Sequence, residues 1–167
     1  MKSWKTLAAA IAVAVLIALP AAAQSKFLTE NVKLTKVSDY ASANTTDVTS
    51  AEVDMAGWDG VVFITSYATA AANNLMHAEQ DTATGMGSAA DLEGSEVDLS
   101  GASDEDQWID LFQPRERFVR VVAQRGTSAA LESIWAIQYR GRNVPVTNLT
   151  SGTIYGKRLN RPAEGTK

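Results

Sequence analysis

Beyond residue 23, no window of a dozen residues keeps apolar side chains at i, i+3, i+4 and i+7, and turn-forming Gly, Ser, Thr, Asn or Asp interrupts the chain roughly every eight to twelve residues. A chain patterned this way has no stripe with which an amphipathic helix could bury itself, so its core has to come from short strands. The clearest is residues 60–67, Gly-Val-Val-Phe-Ile-Thr-Ser-Tyr, which follows the turn-forming Gly57-Trp58-Asp59. Residues 117–125 and 133–139 are the next strongest, joined by a loop that opens at Gly126-Thr127-Ser128, and they are expected to pair as an antiparallel unit. In the first of these, Phe118, Val119, Val121 and Val122 are too continuous for simple alternation, which fits a strand covered on much of both faces or one with a bulge. Shorter candidates at residues 32–37, 51–55, 75–79, 96–99 and 107–112 bring the expectation to eight strands. One helical turn is conceivable at residues 68–72, and residues 29–47 are read as one strand and a loop. The fold expected is all-β, a single antiparallel β-sandwich, either immunoglobulin-like or jelly-roll.

The first 23 residues are of another kind. Lys2 and Lys5 precede an apolar run over residues 6–19, Pro20 breaks it, and Ala21-Ala22-Ala23 supplies small residues before Gln24. This is the layout of a secretory signal peptide, cleaved near Ala23, and the run is short of the roughly 20 apolar residues that span a bilayer. The expected organisation is a leader at 1–23, a sandwich domain at 24–143 and a basic, extended C-terminal arm at 144–167. In the arm, Gly152, Gly156 and Pro162 interrupt the pattern while Lys157, Arg158 and Arg161 carry its charge. Read functionally, it orders on an adjacent subunit or partner; read plainly, it is a loose tail.

Charge is sorted along the chain. Residues 24–114 hold 16 acids against 3 lysines, and residues 115–167 hold 10 bases against 3 acids. A net charge of −4 opposes general nucleic-acid binding. Sorted charge has two readings, a pair of solvated faces or complementary patches that set the register between copies or partners. On the second reading the contact residues are Arg115, Arg117 and Arg120 against Asp104, Glu105 and Asp106.

Chemistry has little to work with. The chain has no cysteine, and its one histidine, His77, sits in an alternating strand pattern as an ordinary face residue. The acids at residues 91–93 and 104–106 could offer oxygens to calcium or a carboxylate pair to a glycosidase, yet neither group has the spacing such sites use. No catalytic residue, metal ligand or cofactor is assigned. Trp58, Trp108 and Trp135 lie in or beside strand patterns, where core packing is the default.

Four stretches carry a likeness to a known family: residues 33–40, residues 53–61 with Gly57-Trp58-Asp59-Gly60, residues 114–122 with Pro114-Arg115-Glu116-Arg117, and residues 134–139 with Ile134-Trp135-Ala136-Ile137-Gln138-Tyr139. With Pro162-Ala163-Glu164-Gly165-Thr166 near the end, the chain resembles small tailed-phage virion proteins of the head-decoration type. That resemblance implies a compact, non-enzymatic β-rich unit on the capsid surface, bound to the major capsid protein or to copies of itself as an oligomer such as a trimer. The leader departs from it, because phage heads assemble in the cytoplasm. The alternative is an exported β-sandwich module for binding or surface assembly, periplasmic or extracellular, with the membrane involved only through an uncleaved leader.

Overall fold

In the computed structural model, residues 27–68, 72–99, 101, 104–148, 154–160 and 164 are described. The leader, Arg161 and most of the suggested turn at residues 68–72 lie outside these residues. Among the described residues, a four-residue helix, α1 (Leu28–Asn31), is followed by twelve strands in two antiparallel sheets.

Sheet A contains β1 (Lys33–Ser38), β2 (Ala41–Asn44), β5 (Gly60–Tyr67), β9 (Glu105–Phe112), β11 (Ala129–Leu131) and β12 (Ile134–Tyr139). Sheet B contains β3 (Val48–Thr49), β4 (Val53–Asp54), β6 (Leu75–Asp81), β7 (Ala90–Asp91), β8 (Val97–Asp98) and β10 (Phe118–Gln124). Each of the eight strands expected from sequence overlaps an observed one; β2, β3, β7 and β11 are additional, as is α1.

β5 is central because its alternation serves two functions. Val61, Phe63, Thr65 and Tyr67 point inward and are buried, while β12 and β9 pair with its two edges. The inner residues meet Val119, Val121, Ala123, Met76 and Ala78 of sheet B, so the two sheets share one core. β10 is buried at five of its seven positions and half-buried at Arg120, and its register with β6 runs unbroken from Phe118 to Gln124. The continuous apolar run there therefore reflects cover on both faces, without a bulge in that pairing.

One expected pairing is corrected. β10 and β12 do not pair, for β10 lies between β3 or β4 and β6 in sheet B, and β12 between β1 and β5 in sheet A. The chain between them crosses from sheet to sheet, placing β11 beside β2 and β5 on the way. Arg125 fixes this crossing: buried, it donates from Nε to the Thr46 carbonyl at 2.5 Å and from Nη1 to the Ser42 carbonyl at 2.6 Å and that of Ala129 at 3.3 Å. Carbonyl oxygens thus satisfy a cation that would otherwise be costly to bury.

The described part of the C-terminal arm lies against its own chain. The Asn148 side chain accepts from the Leu34 amide at 2.7 Å and donates to the carbonyls of Thr29 and Val32. Arg158 reaches the Thr29 hydroxyl and carbonyl at 2.9 and 2.8 Å and the Val146 carbonyl at 3.2 Å.

Candidate functional site

Period-two geometry decides what the outer face of sheet A presents. Across four strands, Lys36 of β1 stands opposite Trp135 of β12, Trp135 opposite Ile64 of β5, and Ile64 opposite Trp108 of β9. The next row is Leu34, Ile137, Val62 and Asp110. Aromatic and β-branched neighbours of this kind contribute about 0.2–1 kcal/mol per cross-strand pair. Nothing among the described residues covers the β9 end of the stripe: Trp108 is 62% exposed, Phe112 52% and Ile64 40%. Core packing, expected for Trp108, is corrected here. Trp58 does pack against the core, while Trp135 is half-buried within the outer stripe.

Gly60 shapes one corner of this face. The Tyr139 ring lies over it so closely that a Cβ there would come within 2.2 Å of the ring. From that position Tyr139 donates from its hydroxyl to Asp110 Oδ1 at 2.7 Å. Burial first, and the Asp110 carboxylate second, push the Tyr139 phenol up to about 12. Arg140 sits over the Phe112 ring, 5.4 Å from its centroid.

Beside this face, a groove of about 990 Å³ runs along β9, between the edge of sheet A and the edge of sheet B formed by β7 and β8. Its rim carries Asp106 and Asp110 on one side and Asp91 and Glu93 on the other, and Arg115 is the one base among the lining residues. Gln107 lines the groove from the inner face of β9, only 2% exposed. Among the described residues, neither its Oε1 nor its Nε2 has a hydrogen-bond partner of ordinary geometry. The neighbouring Tyr67 phenol is pushed up to about 12 by burial, with the nearby Gln107 amide next in effect and acting the other way, yet its hydroxyl is directed at the carbonyls of Gln124 and Leu75 at 2.6 and 3.2 Å. An amide left without ordinary hydrogen bonds costs about 1–3 kcal/mol for each group.

The arginines singled out by sequence have separate places. Arg117 forks onto Asp54, Nε at 2.9 Å and Nη2 at 2.7 Å, and this hydrogen bonding holds the Asp54 carboxyl down at about 2. Arg120 bonds Glu79 at 2.5 Å, directly across the ladder. Arg115 is exposed at the far end of the groove from Asp106. Of the acids, Asp104 occupies a turn with φ +58, Glu105 accepts from the Gly101 amide at 3.1 Å, and Asp106 is exposed on β9. Lys157 is exposed, and Arg158 is bound to α1 as described.

His77, Glu79 and Asp91 form a group that sequence distance concealed, their ligand-type atoms all lying within 4.8 Å of one another. Its members have partners within the chain: His77 Nε2 lies 3.3 Å from Asp91 Oδ1, and Arg120 holds Glu79.

No protein-family model matches the chain, and no curated protein matches it either.

Proposed function

We propose that this chain is a non-enzymatic structural protein that binds a protein lattice through the outer face of sheet A, decorating and stabilising a phage capsid as the sequence resemblance implies. The observation that carries this reading is the outer stripe of half-buried Trp135 with exposed Ile64 and Trp108, and the exposed Phe112 near it. Contiguous apolar surface on a folded chain marks a place where another protein sits, and exposed aromatics are the side chains that most often dominate such contacts. On this reading the fold is a β-sandwich that offers one sheet to the lattice, and copies around a capsomer, as trimers for example, multiply a modest contact by avidity.

Charge supports the same assignment in a revised form. Arg117 and Arg120 form ion pairs within the chain, so the basic contribution to a contact with neighbours falls to Arg115 and Lys157, and the acidic one to Asp104 and Asp106. Glu105 accepts from the Gly101 amide, which leaves its carboxylate less free to take part. The leader pattern favours a second reading, an exported surface-assembly module using the same face.

The test is mass spectrometry of the chain from its native source, with particles and exported fraction side by side. Capsid decoration requires the chain in particles in fixed proportion to the capsid protein. A chain that begins at Gln24 and occurs only in the exported fraction refutes the capsid role and establishes the second reading.

A further inference from the structure

β9 pairs with β5 alone among the described residues, so half of its backbone amides and carbonyls face outward along the edge of sheet A. Such an edge is a template for another strand, and charge decides which strand it accepts. Here the charge has one sign, from Glu105, Asp106 and Asp110. Two copies joined edge to edge across a twofold axis would set these acids against each other. A strand with lysine or arginine at alternate positions would place its bases beside Asp106 and Asp110 instead. On the opposite wall, Glu93 has no ion-pair partner among the described residues and adds to the same potential.

Gln107 supplies the independent reason to expect a peptide. The residue lines the groove, and its amide, buried just beneath the groove wall, holds an unpartnered donor and an unpartnered acceptor together. A metal cation would answer only the oxygen, and an aliphatic group would answer neither. A peptide unit answers both, its carbonyl accepting from Nε2 and its N–H donating to Oε1.

We propose that the groove along β9 binds an extended segment of a second protein, bearing lysine or arginine at alternate positions, by strand addition to the β9 edge, with Gln107 hydrogen-bonded to its backbone, Asp106 and Asp110 facing its bases, and Glu93 adding to the negative potential from the opposite wall. The inference rests on the lattice-binding reading and deepens it: the folded surface of the partner meets the Trp108 face, and an extended basic arm of the partner enters the groove next to it.

The test titrates two synthetic peptides into the full chain by calorimetry, each about ten residues long to match an eight-residue strand, one alternating Lys with Val and one alternating Glu with Val. The lysine peptide is expected to bind and to weaken with added salt, and the glutamate peptide to stay unbound. Gln107→Leu should weaken the lysine peptide at least about tenfold while its melting temperature holds or rises, because the unpaired buried amide is gone. Asp106→Lys combined with Glu93→Lys should abolish the salt dependence.

Equal binding of both peptides, binding of neither, or undiminished binding by Gln107→Leu overturns the proposal. So does a dimer of the unaltered chain that the lysine peptide fails to disperse, which would give the edge to a second copy. Particle binding of Ile64→Glu/Trp108→Glu, measured in parallel, separates the two claims. If that variant loses particles while the lysine peptide fails to bind the native chain, the groove is wrong and lattice binding stands; if the peptide binds and the variant still holds particles, the groove stands and the outer face of sheet A is not the lattice contact.

Discussion

The two outer faces of this molecule are built by the same ladder geometry and filled in opposite ways. On sheet B, Arg120, Glu79 and Asp91 make one cross-strand row, with His77 beside it on Asp91 and Arg117 forked onto Asp54 nearby. On sheet A, the corresponding row is Trp135, Ile64 and Trp108. The first face pairs Arg120 with Glu79 and Arg117 with Asp54 inside the chain and leaves the exposed Asp91 to water. The second exposes the groups that gain most from being covered, at about 25 cal/mol per Å² of apolar surface. The contrast separates residues that hold the fold from residues available to a partner, which charge sorting along the sequence had merged.

The largest expected effect breaks the sheet A side. Ile64→Glu with Trp108→Glu should lower particle binding by two orders of magnitude or more, since exposed aromatic anchors are each worth about 2 kcal/mol or more in such contacts. Its melting temperature should fall less than its binding, because Trp108 is 62% exposed and Ile64 40%. A sedimentation assay with purified particles reads the first quantity and thermal unfolding the second. If binding survives, the outer face of sheet A is not the contact.

The next effect reverses the pattern on sheet B. Arg120→Glu would line up three acids, residues 120, 79 and 91, across adjacent strands. With Arg120 and Glu79 both mostly buried, about 2–3 kcal/mol of stability should disappear in a urea titration while particle binding per folded molecule is unchanged. A binding defect without a stability defect would return Arg120 to the interface.

Why these roles were partly hidden in the sequence is a matter of separation and of parity. The eight strands with β-branched or alternating residues were legible. β11 was not, because Ala129-Ala130-Leu131 is buried through its place between β2 and β5 and carries no strand signature of its own. β10 and β12 look like a hairpin because they are neighbours in sequence, and only tertiary packing sends them to different sheets. For Trp108 the signal existed: it shares parity with Asp106 and Asp110, so a charged outward face carries it outward too. The Arg117 and Asp54 fork, by contrast, joins residues 63 apart, and nothing in either local pattern announces it.

A third variant sharpens the view of sheet A. Gly60→Ala places a methyl where the Tyr139 ring lies, forcing the ring away and breaking its bond to Asp110. Stability should fall by about 1–3 kcal/mol, the usual range for overpacking, and the Tyr139 phenol should titrate closer to its ordinary value of 10. Ultraviolet titration of tyrosinate reads the second change, and an unaltered titration would mean that the ring finds another perch with equal burial.

The smallest effect comes from pH, and it separates the faces by sign. The Asp54 carboxyl, held at about 2 from 3.8 by Arg117, stabilises the fold fully above pH 3.8, and that contribution is lost as pH falls towards 2. The pair is open to water, so the effect is expected to stay below about 1 kcal/mol. Asp81, lowered by the amides of Ala83 and Ser88, acts in the same direction and also belongs to sheet B. Tyr139 works the other way: raised from 10 to about 12, its contribution is complete below pH 10 and is lost as pH climbs towards 12, with Tyr67 in the core adding to it. Asp54→Asn should therefore flatten the acid limb of a melting-temperature profile and leave the alkaline limb alone, and Tyr139→Phe should do the converse. If either variant moved both limbs, the two faces would be coupled through the shared core more tightly than their separate ladders imply.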